Sequence, residues 1–119
     1  MPQFGLNRVL LIGHIASEPR FKLTPERRLP RLWFRVRTEE RYHDPEGREL
    51  MRKGFHSVVV WGTHAQALHA FLREGLAVAV DGRLATRPYD AGGHKRYETE
   101  IVATSVVVLT PRDAQQSAA

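Results

Sequence analysis

The residues best suited to chemistry in this sequence are arginines, and many of them lie in one stretch. Residues 20–41 carry eight basic side chains against three acidic ones, which accounts for the whole formal net charge of +5. Fifteen of the eighteen basic residues in the chain are arginines. A guanidinium group donates paired hydrogen bonds to phosphate and also stacks on aromatic rings. The pattern predicts a polyanionic partner, with a solvated basic face as the plainer interpretation.

Two large rings stand at the ends of the apolar run FHSVVVWG, residues 55–62. Its β-branched valines and closing glycine are typical of a strand. Side chains alternate along a strand, so Phe55 and Trp61 share one face while Val58 and Val60 occupy the other. Because the two valines already supply a core side, the rings are predicted to point outward, burial in the core being the alternative.

A second run, RLWFRVRTEERY at residues 31–42, alternates in the same way. One side is predicted to face the core: Leu32, Phe34 and Val36. Trp33 then lies on the other side, in a row with Arg35 and Arg37. This ring is predicted to belong to the basic surface, packing against a partner subunit or a hairpin being the alternative.

Several kinds of chemistry are disfavoured. The chain has no cysteine, and its six histidines form no close cluster with metal-ligand spacing. Asp44, Glu46 and Glu49 lie together on a turn beside Arg48, which a solvated loop explains. We therefore expect no enzyme activity, no metal and no cofactor. The apolar runs are too short to cross a bilayer and no signal peptide is visible, so a cytoplasmic, nucleoid-associated protein is predicted.

The elements that must position these residues are mostly strands. Strands are predicted at residues 7–16, 31–42, 55–61, 76–88 and 96–109, with one helix, capped by Thr63, at residues 63–75. A turn or hairpin is predicted at residues 18–30 and a mobile hairpin tip at residues 89–95. The order β-β-β-α-β-β is that of the OB-fold, a five-stranded Greek-key barrel that is all-β with one helix. A β-sandwich fragment is the competitor. Residues 1–110 are predicted to form this domain and residues 111–119 a short unstructured tail.

Three collinear segments resemble the bacterial single-stranded DNA-binding (SSB) proteins: LNRVLLIGHIASEPRFK, FHSVVVWGTHAQALHAFLREGLAVAVDGRLATRPY and KRYETEIVATSVVVL. Together they span about residues 5–109. Members of that family stack bases on aromatic rings in a basic groove, which requires no sequence readout. The resemblance implies sequence-independent binding of single-stranded DNA, protecting it in replication, recombination or repair.

By position, the resemblance assigns base stacking to Tyr42, Phe55, Trp61 and Tyr89. Trp33 is added to this set from its alternation alone. Phosphate contacts are predicted for the basic residues that flank these rings on strands or hairpins: Arg35, Arg37, Arg41, Arg52, Lys53, Arg83, Arg87, Lys95 and Arg96.

This chain also departs from the family pattern. Family members usually continue into a Gly-, Pro- and Gln-rich linker and an acidic tip that recruits partner enzymes, whereas the last six residues here carry no charge. A short form without tip-mediated recruitment is therefore predicted.

The resemblance implies a homo-oligomer, with a tetramer ahead of a dimer. A tail-less primosomal replication-restart protein is the nearest alternative. The other alternative is an OB-fold whose aromatic face assembles with protein. That alternative predicts weak DNA binding, and loss of assembly when Phe55 or Trp61 is replaced by alanine.

Overall fold

The computed structural model describes residues 4–109, so the predicted tail at residues 111–119 lies outside the described part of the chain. Six strands and one helix follow one another: β1 (Val9–Ile15), β2 (Arg20–Leu23), β3 (Pro30–His43), β4 (Glu49–Trp61), α1 (Thr63–His69), β5 (Ala77–Ala91) and β6 (His94–Val108). The helix lies between the third and fourth of the long strands, as predicted.

Five of the strands close into a barrel in the order β1-β5-β6-β4-β3. The closing contact is antiparallel and short, pairing His14 with Arg37 and Ile15 with Val36. Strand β2 adds to the free edge of β3, where Arg20 lies opposite Trp33. The predicted OB-fold is confirmed, and the hairpin predicted at residues 18–30 contributes β2 as a sixth, short strand.

Closure of the barrel brings two backbones unusually close at Gly13. A Cβ atom there would lie 2.3 Å from the carbonyl oxygen of Arg37. Only glycine therefore fits at this point of β1, and the strand runs through Gly13 without a break. A second irregularity is the register shift between β5 and β6 at Asp81 and Gly82.

The core follows from the predicted alternation. Leu32, Phe34 and Val36 of β3 are buried, as are Val58 and Val60 of β4. Burial of each such side chain contributes about 1.5–3 kcal/mol. Packed side chains therefore fill the inner side of the barrel, and the outer side of β3 and β4 is left available for binding.

Helix α1 is shorter than predicted. It ends at His69, and Gly62 rather than Thr63 occupies the N-cap, with no side-chain hydrogen bond to the first turn. Leu68 and Leu72 are buried, but Phe71 is half exposed. Because Thr63 is already helical, its hydroxyl lies one position too late to cap the helix.

Two long hairpins extend beyond the barrel. The β3–β4 turn is held by Asp44, whose carbonyl accepts from the N–H of Gly47 and whose carboxylate accepts from Arg48. Strands β5 and β6 meet at Gly92 and Gly93, both with positive φ, a two-residue turn that favours glycine. The tip predicted to be mobile at residues 89–95 is thus mostly paired strand, with Tyr89 opposite Arg96.

Candidate nucleic-acid interface

The outer side of strands β3 and β4 carries alternating rings and arginines. Antiparallel register places Arg31 opposite Trp61, Trp33 opposite Val59, Arg35 opposite Ser57 and Arg37 opposite Phe55. We call this surface the arginine–ring face and define it by six residues: Arg31, Trp33, Arg35, Arg37, Phe55 and Trp61. The alternation of both strands builds this face, since their other sides are in the core.

The two rings of β4 point outward, as expected. Phe55 is 50% exposed and Trp61 is 39% exposed. Val59 lies between them, opposite Trp33 and beside Val102 of β6, and is fully buried. The centre of the face is therefore packed, and the accessible ring surface lies towards its two ends.

A guanidinium group lies over each ring of the face. The Cζ atom of Arg35 is 5.1 Å from the ring centroid of Phe55. The Cζ atom of Arg31 is 4.7 Å from the Trp33 centroid and 5.6 Å from the Trp61 centroid. Arg20 of β2 adds a second cation at 5.5 Å from Trp33. These cation–π contacts hold the aromatic rings and the guanidinium groups of the face next to one another.

Arg31 is a member of the site that the sequence analysis missed. It precedes Trp33 by two residues, so the alternation that selected Arg35 and Arg37 could have found it. Its side chain is 18% exposed and lies 3.9 Å from a carboxylate oxygen of Glu100. Burial lowers the pKa of Arg31, with a further lowering from nearby Arg87, opposed by Glu100. The group remains charged, since arginine does not deprotonate in proteins.

The structure separates Tyr42 and Arg52 from this face. Tyr42 lies opposite Leu50, on the side of the β3–β4 hairpin that continues the core side of the barrel. The Cζ atom of Arg52 lies 4.5 Å from its ring, so the two form a separate ring–cation pair. Arg41 and Lys53, by contrast, share the outer side with Phe55.

The β5–β6 hairpin carries the remaining predicted residues. Arg83, Arg87, Tyr89 and Arg96 lie on its outer side, continuous with the arginine–ring face through the pairing of Val59 with Val102. Lys95 lies opposite Asp90 on the other side of this hairpin. Tyr89 is 41% exposed. The structure thus places most of the predicted residues on one continuous surface, with Tyr42, Arg52 and Lys95 off it.

Carboxylates already partner some of these cations. Arg37 lies 3.6 Å from Glu39, Arg41 lies 3.5 Å from Glu49, and Arg87 contacts both Glu98 and Glu100. Within residues 4–109, no carboxylate lies within ion-pair distance of the others: Arg35, Arg52, Lys53, Arg83, Lys95 and Arg96. These six cations without a partner carboxylate are therefore better placed to attract an external anion than the paired arginines.

Other kinds of site find no support in the described residues. Between residues 4 and 109, no three His, Asp or Glu side chains come together as metal ligands. In the same part of the chain, no helix has the length and apolarity needed to cross a membrane.

The closed barrel, its mid-chain helix and its basic ring-bearing surface define an OB-fold domain. The chain belongs to the single-strand binding protein family, whose model matches residues 6–109. That family and the relatives below are named for binding and not for a reaction, in agreement with the prediction that the protein is not an enzyme.

Individual relatives agree with this assignment. Single-stranded DNA-binding protein 1 of Chlorobaculum tepidum is 36% identical over 112 residues, which cover 92% of this chain and 68% of the relative. A deletion mutant of the Thermus aquaticus single-stranded DNA binding protein superposes with a TM-score of 0.82 at 30% identity. That match covers 91% of this chain and 52% of the other, so this chain spans about half the Thermus protein.

A third comparison includes nucleic acid. The Plasmodium falciparum SSB in complex with ssDNA has a TM-score of 0.81 at 26% identity, covering 92% of this chain and all of that one. The fold described above is therefore the one found in a complex with single-stranded DNA.

Proposed function

We propose that the protein binds single-stranded DNA without sequence preference, by stacking bases on exposed rings and contacting phosphates with arginine and lysine. The observation that carries this proposal is the arginine–ring face, in which each ring has a guanidinium group beside it. Every base has a π face, and stacking contributes roughly 1–3 kcal/mol per base. Duplex DNA buries those faces, so the proposal requires a preference for single strands.

The proposed path of the strand follows the outer side of the barrel. It passes Trp61 and Phe55 on β4 and continues over Tyr89 on the β5–β6 hairpin. Phosphate contacts come first from Arg35, Lys53, Arg83 and Arg96, because these four lie on that side without a partner carboxylate. Tyr42 and Arg52 join the path only if the strand also passes around the β3–β4 hairpin.

We also propose that the protein is a homo-oligomer, a tetramer before a dimer, that protects single-stranded DNA in the cytoplasm during replication, recombination or repair. An apolar patch on the outer side of β1 supports assembly. Leu10 and Ile12 are each nearly two-thirds exposed there. Ala79 of β5 and Val107 of β6 line the same shallow pocket. Linked copies raise avidity for one strand without any new contact.

The first experiment is a titration of the protein with an unstructured single-stranded oligonucleotide and with a duplex of equal length, followed by tryptophan fluorescence at low and moderate salt. Strong quenching by the single strand alone is expected, with an affinity that falls steeply as salt rises. Weak, equal binding to both nucleic acids would overturn the proposal and favour the protein-assembly alternative.

A further inference from the structure

Glu100 is an unexpected residue in the proposed DNA-binding surface. It lies on β6 beside the arginine–ring face, and its side chain is only 9% exposed. Its neighbour along the strand, Ile101, points into the core, so Glu100 points outward. An acidic group here lowers the positive charge of a surface that is proposed to hold a polyanion. A structural role for Glu100 would offset this loss of positive charge.

Its contacts indicate that role. A carboxylate oxygen of Glu100 lies 3.9 Å from Arg31 and 3.4 Å from Nε of Arg87. A buried carboxylate is unfavourable unless it is paired, and here two arginines pair it. Arg31 in turn lies over both Trp33 and Trp61. One carboxylate is therefore linked, through one guanidinium, to both tryptophans of the chain.

We propose that Glu100 is a positioning residue of the DNA-binding surface, which holds Arg31 over the two tryptophans and competes with DNA phosphate for Arg31 and Arg87. This inference rests on the proposed function. A phosphate that binds either arginine must first exchange with a carboxylate. The phosphate then releases one of its condensed cations, but the displaced carboxylate takes up a cation in its place, so these arginines contribute little to the salt dependence.

The test is Glu100→Gln, which keeps the shape of the side chain and removes its charge. With the carboxylate gone, Arg31 has no partner carboxylate within residues 4–109 and becomes available to phosphate, while Arg87 keeps Glu98 at 3.5 Å. Binding of an oligo(dT) strand should tighten several-fold at low salt. The plot of log K against log salt should steepen by about 0.7 for each arginine released, the increment for one contact with a single strand.

The matched control is Glu46→Gln. Glu46 lies on the exposed β3–β4 turn near Arg48, and its replacement changes the net charge by the same amount. If Glu100→Gln and Glu46→Gln steepen the salt dependence equally, only the net charge matters and the inference is wrong. If the wild-type protein does not prefer single strands at all, the proposed function fails instead.

Two further variants separate positioning from general stability. Combined with Arg31→Gln, the Glu100→Gln change should lose most of its effect on the salt slope, because the remaining arginine, Arg87, still pairs with Glu98. An undiminished effect would remove Arg31 from the proposal.

Should Glu100→Gln fail to fold, Glu100→Asp keeps the charge but withdraws it from Arg31. It should steepen the slope in the same direction, and an unchanged slope would overturn the inference. In the free protein, Glu100→Gln should also change the tryptophan emission, whereas Glu46→Gln should not.

Discussion

At the scale of single residues, Phe55 and Phe71 make a matched pair. Each is 50% exposed, but Phe55 lies on the arginine–ring face and Phe71 follows helix α1. We expect Phe55→Ala to weaken single-strand binding by roughly 1–3 kcal/mol, the range for loss of one stacked base. Phe71→Ala should leave binding unchanged. Fluorescence anisotropy of a labelled oligonucleotide measures both, and equal losses would show that Phe55 has no special place in the DNA path.

Trp61 allows a second test of stacking, because its ring, which contacts Arg31, is also a fluorophore. Trp61→Ala should weaken binding in the same range and should also reduce the quenching of tryptophan fluorescence by DNA. Circular dichroism should show an intact fold, since the ring is 39% exposed. If the variant unfolds, the ring serves packing and the stacking assignment is wrong.

Arg35 and Arg37 differ in their partners although they stand two residues apart. Glu39 lies 3.6 Å from Arg37, whereas no carboxylate within residues 4–109 pairs with Arg35. Arg35→Gln should therefore flatten the salt dependence of binding by about 0.7 in log–log slope, the loss of one phosphate contact. Arg37→Gln should flatten it less. Equal slopes in both variants would mean that the ion pair has no bearing on DNA contact.

At the scale of elements, Gly13 and Gly5 test the closure of the barrel. A Cβ at Gly13 would meet the backbone of β3 at 2.3 Å, while a Cβ at Gly5 would meet nothing within 4 Å. Gly13→Ala should destabilise the protein by about 1–3 kcal/mol, as overpacking does. Gly5→Ala should change its stability little. Urea unfolding gives both values, and a neutral Gly13→Ala would show that the strands can separate at this point without loss.

The alternation of apolar and polar residues predicted the strands that form the site, but not how they meet. Trp33, Arg35 and Phe55 were assigned to their face correctly, because period-two alternation is a local property. Tyr42 is grouped with Phe55 by the family resemblance, whereas the alternation of β3 and its register with β4 both place Tyr42 on the opposite side. The contact of Glu100 with Arg31 requires β6 to lie beside β4, and these two strands pair in parallel. No local pattern specifies such a pairing.

The short strand β2 and the end of α1 escaped prediction for a related reason. Residues Arg20–Leu23 form a strand because the edge of β3 is there to pair with. Their own charged, Pro-flanked sequence has little strand preference. Phe71 fits the helical period of Leu68 and Leu72, yet the helix has ended two residues before it.

At the scale of the whole molecule, the proposed assembly uses the outer side of β1. Leu10→Glu places a charge on the apolar patch while leaving the core untouched, so it should convert the proposed oligomer to smaller species. Met51→Glu is the control, because Met51 is 55% exposed on the β3–β4 hairpin, away from that patch. Light scattering after size-exclusion chromatography gives the mass of each. An unchanged mass for Leu10→Glu would move the interface elsewhere.

The pairing of β1 has a consequence for how the protein is made. This strand meets β3 at only two positions and otherwise pairs with β5; Arg8 and its partner Asp81 are 73 residues apart. A ribosome adds about 5–20 residues per second, so roughly 4–15 s separate the synthesis of the two. Throughout that interval the apolar sequence VLLI is an open edge that other nascent chains can join. Slower chain initiation or a chaperone near the exit tunnel should therefore raise the yield of folded protein.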